Sequence, residues 1–185
     1  MTRGERIQKV ESFGCAPMRL AEVLRKIPKK MWLFKPEKDR WSIHEIILHL
    51  ADSEANAYIR CRRLIAEPGK PVLSYDVQQW AGSLGYFHQS THEALEVIRR
   101  LRRMTYQLLV YLPEPVWSHT AEHPEKGKLT LDEWLDMQIA HIPHHIEQMK
   151  QNYQIWLKLH PPRKSPRPKI MTGPGRQMVS LPAGI

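Results

Sequence analysis

Cysteine is scarce: Cys15 and Cys61 are the only two in 185 residues, and no CxxC occurs. That excludes a disulfide framework and a thiolate-rich metal site, and makes a reducing cytoplasm the simplest compartment. Long apolar runs are missing as well. The longest, at residues 46–48 and 108–112, fall far below the roughly 20 residues a membrane-spanning helix requires, so no membrane partner is expected. Residues 1–11 are charged and broken by Gly4, without the apolar core and small-residue cleavage site of a signal peptide. Alternation of apolar and polar residues over six or more positions is also lacking, which argues against a substantial sheet. No internal repeat is present. The composition, 42% hydrophobic and 25% charged, supports one compact domain with a real core.

Charge of one sign is in excess. Twenty-eight Lys and Arg against nineteen Asp and Glu give a formal +9, a level at which nucleic acid or anionic lipid is worth weighing as a partner. From Arg163 onward five basic residues stand with no acidic one, so residues 1–159 hold 23 basic against 19 acidic, or +4. Residues 160–185 shift to Pro, Gly, Lys and Arg, the composition of a loosely held basic tail. The expected organisation is therefore a folded domain over 1–159 followed by a tail over 160–185.

Three pairs mark helix starts: Ser42 with Glu45, Ser90 with Glu93 and Thr130 with Glu133, each a capping box before an apolar-periodic run. The runs end near 67, 112 and 159, at Pro68-Gly69, Pro113 and Pro161-Pro162, where proline cannot continue a helix. A further helix is expected over 3–27, closed by Pro28. The links differ in length; 68–89 is long enough for a short helix around 75–80, and 113–129 reads as irregular. The fold class expected is all-α, a four-helix bundle with a long crossover connection.

Ten histidines is a high count, and their placement gives it meaning. On a helical wheel centred on Ile142, the residues Leu135, Ile139, Ile146, Met149 and Trp156 define the inner stripe. His145 then lies about 60° to one side and His141 about 100° to the same side. His144 points away. On the preceding wheel, centred on Leu50, His49 lies about 100° from the inner face and His44 further out on the opposite flank. His49, His141 and His145 are thus the three that can meet at the rim of the interior. Residues at i and i+4 can reach one ion, and a third imidazole from a facing helix leaves other coordination positions open. The ordinary alternative is three hydrogen-bonded rim histidines. Ile142 stands where the glutamate of HExxH would be, so no zinc-protease base is built in. Pro143 is either a tolerated kink or a bend that aims His141, and Gln148, one turn past His145, is either a partner to the ligands or a solvated residue.

Residues 40–54, with Trp41-Ser42 opening a helix that carries His49, resemble the second helix of the DinB-like superfamily and its YfiT-like branch. Residues 134–148, with His141 and His145 followed by Gln148, resemble its final helix, and Tyr75-Asp76 with Trp80 is similar to its linker. The resemblance implies a four-helix bundle over about 1–159 and a divalent metal, zinc or nickel, on His49, His141 and His145. It also implies a small-molecule substrate. The superfamily includes bacillithiol S-transferases and a mycothiol-dependent maleylpyruvate isomerase beside hydrolases of unknown substrate. The function expected is accordingly a metal-dependent enzyme that activates water, as a hydrolase, or a low-molecular-weight thiol, as an S-transferase.

No catalytic acid or base is assigned. Asp52, Glu54 and Asp76 are candidates, but the wheel turns Asp52 away from His49. The alternative function is a basic nucleic-acid-associated or stress-response module with a structural metal, resting on Arg60, Arg62, Arg63, Arg99, Arg100, Arg102 and Arg103. These runs lack interleaved aromatics for base stacking, which favours solvated helix faces. Cys61, on an inner face, is expected to be a buried unreactive thiol. A homodimer is expected, since six tryptophans and eight methionines can supply both a core and an interface.

Overall fold

The computed structural model describes residues 1–124 and 127–161, so the expected tail lies, from residue 162 on, outside the described residues. Four long helices form where the capping signals stand: α1 Arg3–Lys26, α2 Ile43–Ala66, α4 Thr91–Val110 and α5 Leu131–Leu159, with a short α3 at Val77–Ser83. The Ser42 and Thr130 boxes close in both directions, satisfying amide groups that have no partner inside the helix. Ser90 accepts from the Glu93 amide, and a further box, Thr2 with Glu5, opens α1. Gly69 takes φ +81° just past α2, a left-handed conformation that suits glycine. Helix α5 runs without a break through Pro143. Among the described residues no helix is long and apolar enough to cross a membrane.

Two links depart from expectation. The short helix starts at Val77 because the Asp76 carboxylate caps it, accepting from the Gln79 amide at 2.9 Å; Tyr75 is left outside the helix. The segment 113–129 is ordered rather than irregular. It holds a 3-10 turn at Glu114–Ser118, then β1 Thr120–His123 paired antiparallel with β2 Gly127–Thr130. Ala121 and Leu129 face each other in register and are buried. Strands of four residues are too short to display a long alternation.

Helix α1 packs against α4 and α5, and α2 against the same two. Consecutive α1 and α2 therefore sit diagonally across the bundle, which the long connections permit. Arg6 pairs with Asp132 at 2.8 Å and Lys9 with Asp136 at 2.5 Å, so α1 and α5 run in the same direction. At Gly14 a Cβ would meet the Tyr106 ring at 2.6 Å; glycine there lets α4 approach α1.

The apolar interior forms two clusters. One gathers Leu20, Leu24, Ile46, Leu50, Ile98, Ile142 and Met149; the other gathers Phe13, Cys61, Leu64, Leu109, Trp134 and Leu135. On α2 the first ends at Ala51 and the second begins at Ala57; on α4 the change falls between Ile98 and Leu109, and on α5 between Leu135 and Ile142. Polar side chains occupy this seam. Cys61, fully buried in the second cluster, has its thiol pushed up to about 12 by desolvation, which keeps it protonated.

Candidate metal centre

All three histidines expected to converge do so at the seam. His49 comes from α2, and His141 and His145 from successive turns of α5. His145 Nε2 lies 3.1 Å from His141 Nε2, and His49 Nε2 lies 3.4 Å from the same atom. The rings meet at 65° to 83°, so their nitrogens aim at one point instead of stacking. Ligands about 2.0–2.1 Å from a tetrahedral ion stand roughly 3.4 Å from each other, close to the spacing observed. His49 and His145 are buried, and His141 is half-buried.

Burial sets the protonation. Desolvation first, then repulsion between the rings, lowers His49 and His141 to about 3. Desolvation lowers His145 to about 4 against its hydrogen bond to Gln148, which raises it. All three are neutral near pH 7, the form in which imidazole ligates. His145 Nδ1 donates to Gln148 Oε1 at 2.8 Å, which leaves its Nε2 lone pair facing the cluster. Gln148 in turn donates through its amide to His144 Nε2 at 3.0 Å, so His144, exposed beside the trio, holds the amide in orientation. Trp41 lies against the His49 ring at 4.7 Å, and Asn152 of α5 donates to the Trp41 carbonyl at 2.8 Å. His141 Nε2 touches both of the others, and the three cannot all be satisfied by one another, since His145 offers only an acceptor there; His49 Nδ1 is buried with no hydrogen-bond partner. A cation would satisfy all three facing lone pairs at once, so these residues fit a divalent metal.

Cavities open on both sides. One of about 490 Å³ is lined by His49 and His141 together with Ser53, Tyr75, Gln138 and His144. Another of about 250 Å³ is lined by His145, Arg40, Trp41, Gln78 and Gln148. Val77 lines the first and Gln78 the second, so the start of α3 stands between them.

The carboxylates named from sequence are engaged elsewhere. Asp52 accepts from the Tyr86 hydroxyl, Asp76 caps α3, and Glu54 pairs with Arg102. Arg102 is not part of an exposed basic face: it is 1% exposed, its Nε and Nη2 donate to Glu54 Oε2 at 2.9 and 2.5 Å, and its guanidinium lies 4.0 Å from the Phe13 ring centre. The sequence carried a signal for this. Ile98, Arg102, Thr105 and Leu109 follow the 4-3-4 spacing of a buried stripe, as do Leu50, Glu54, Ala57 and Cys61. Of the other basic residues, Arg99 and Arg100 pair with Glu96, Arg62 covers Tyr58, and Arg60 and Arg63 donate to loop carbonyls. Ser53, one turn past His49 on α2, had the i and i+4 spacing that could have marked it, whereas Tyr75 carried no periodic signal because it reaches the site from a loop.

A model of the DinB superfamily matches residues 13–149. YfiT of Bacillus subtilis, named provisionally as a metal-dependent hydrolase, is 26% identical over 137 residues, 68% of this chain and 77% of its own. A protein of Oceanobacillus iheyensis with the same kind of provisional name is 31% identical over 106 residues, covering 57% of this chain. That match spans 61% of the Oceanobacillus relative's length. A solved structure of YfiT, described as a four-helix bundle of unusual topology, superposes with a TM-score of 0.77 at 20% identity, covering 83% of this chain and 89% of that one. The matched span takes in most of all four long helices and all three histidines, and the chain belongs to the DinB superfamily.

Proposed function

We propose that the protein is a metal-dependent enzyme in which His49, His141 and His145 hold one divalent ion, zinc or nickel, beside a cavity that admits a small-molecule substrate. The observation that carries this reading is the meeting of three neutral imidazoles from two helices, with one ring nitrogen of each within 4.8 Å of the others. When bound, such an ion supplies Lewis acidity and can bring a water to a pKa of about 7 or hold a thiol as thiolate. The chain's own residues set the conditions. Neutral imidazoles leave the ion its full charge, Gln148 fixes the His145 tautomer, and Trp41 covers the His49 ring on one side.

Hydrolysis and thiol transfer share this centre and differ in the nucleophile; the names of the relatives favour hydrolysis. Elemental analysis of purified wild type and of His49→Ala, His141→Ala and His145→Ala tests the reading. About one ion per chain in the wild type and a marked loss in each variant is expected, whereas undiminished metal in all three refutes it. The metal-loaded protein should then act on esters or amides, or on a low-molecular-weight thiol with an electrophile. We place it in a reducing cytoplasm as a homodimer, and a monomer mass by light scattering would remove the dimer.

A further inference from the structure

Two hydroxyls stand beside the three imidazoles. Ser53 lies one turn beyond His49 on α2, and its Oγ comes 3.4 Å from His49 Nε2. Tyr75 brings its hydroxyl 2.6 Å from Ser53 Oγ, its ring held against Trp80 at 4.5 Å. Both line the cavity of about 490 Å³.

A proton count narrows what they can do. Two hydroxyls carry two hydrogens, and the bond between them uses one. Tyrosine is the more acidic partner and the better donor, so Tyr75 donates to Ser53, and the Ser53 hydrogen points onward. The acceptor within its reach is His49 Nε2. Once that lone pair is given to a cation, the hydrogen needs another acceptor. The distance of 3.4 Å from Ser53 Oγ to a ligand nitrogen is also roughly that between neighbouring ligands of one four-coordinate ion. The hydroxyl therefore stands beside a ligand nitrogen and lines the same cavity as His49 and His141, the side from which a further ligand would enter.

Resting on the metal-centre reading, the geometry points to Ser53 as the donor that binds an oxyanion at the open position, with Tyr75 as its positioning residue. The ligand class is a small carboxylate, or a carbonyl compound whose oxygen becomes negative during reaction. The cavity wall is consistent with an anion. Among the described residues lining it the ionisable groups are Arg60, histidines and Tyr75, with no carboxylate, and the Arg60 guanidinium lies 6.0 Å from the Tyr75 ring centre.

Cobalt(II) loaded into the full chain reports the open position through its d–d absorption. Titration with acetate is compared with titration with imidazole, a neutral ligand that offers Ser53 no acceptor. Ser53→Ala is expected to weaken acetate about tenfold and Tyr75→Phe about threefold, in line with the loss of one hydrogen bond and of its orientation. The double variant should match Ser53→Ala alone, because Tyr75 acts through Ser53. Imidazole and cobalt affinities should stay within twofold of wild type. Acetate binding unchanged in Ser53→Ala, equal weakening of acetate and imidazole, or a further loss when Tyr75→Phe is added to Ser53→Ala overturns the inference while leaving the metal centre intact. A wild-type chain that takes up no cobalt overturns the metal-centre reading and this inference with it.

Discussion

Arg102 and Glu54 carry opposite charges into the seam between the two apolar clusters and cancel them there, whereas His49, His141 and His145 carry no charge into the same seam and leave their acceptors facing one another. Desolvation pushes both members of the ion pair toward neutrality, and their mutual attraction with two hydrogen bonds opposes that push. The charges of the pair answer each other, Arg102 Nε and Nη2 both meeting Glu54 Oε2, although Glu54 Oε1 is buried without a hydrogen-bond partner. The pair also ties three helices together, since Arg102 Nη1 reaches the Gln138 carbonyl, one turn before His141, at 3.4 Å. The trio is complete only with something added. Opposite charges that cancel inside the seam belong to the architecture; neutral imidazoles whose nitrogens converge beside a cavity suit a ligand.

The largest effect should come from breaking the complete cluster. Glu54→Ala leaves a buried guanidinium unpaired and should cost about 3–5 kcal/mol in chemical denaturation, while the double change Glu54→Leu with Arg102→Leu should recover most of that. A cost under about 1 kcal/mol for Glu54→Ala would erase the contrast. Next comes ligand linkage. Zinc at about a hundred times its dissociation constant should stabilise the wild type by about 2.7 kcal/mol and His141→Ala far less; equal stabilisation of both in thermal melts would detach the trio from the metal.

Acid should weaken the metal-free fold through the trio. The three histidines have folded pKa values of about 3, 3 and 4, below the value of about 6.5 they regain on unfolding. Between those limits the unfolded chain binds more protons, so the stability of metal-free protein is full above pH 6.5 and falls as pH drops toward 4. Roughly 3 kcal/mol should go between pH 6.5 and 5.5, about 1 for each imidazole, and less in His141→Gln. A metal-free wild type whose denaturation midpoint is flat across that interval would contradict the buried neutral trio.

How much of this was legible in the sequence depends on the range of the signal. Ser42, Ser90 and Thr130 act on amides three residues away, so the starts of three long helices could be read directly. His141 and His145 share a helix edge, and wheel geometry placed His49 opposite them. The hairpin at 120–130 was hidden because its strands are four residues long. Arg102 was misread as surface because its charge was weighed above its spacing. Tyr75 reaches Ser53 across 22 positions, from a segment whose path is set by the capping of α3 and by Trp80, contacts that no local pattern encodes. The smallest effect belongs to the local class: Ser42→Ala should cost about 1 kcal/mol through its lost cap, without changing metal affinity. A large fall in metal affinity there would mean that the start of α2, and not the convergence of side chains, governs the site.

The central claim is most directly tested by a crystal structure of metal-loaded protein with anomalous data collected at the zinc and nickel edges. A single peak is expected about 2.0–2.2 Å from the Nε2 atoms of His49, His141 and His145, with a further position open toward Ser53. A peak held by other residues, or fully loaded crystals in which these three nitrogens remain in mutual contact with no ion among them, would contradict it.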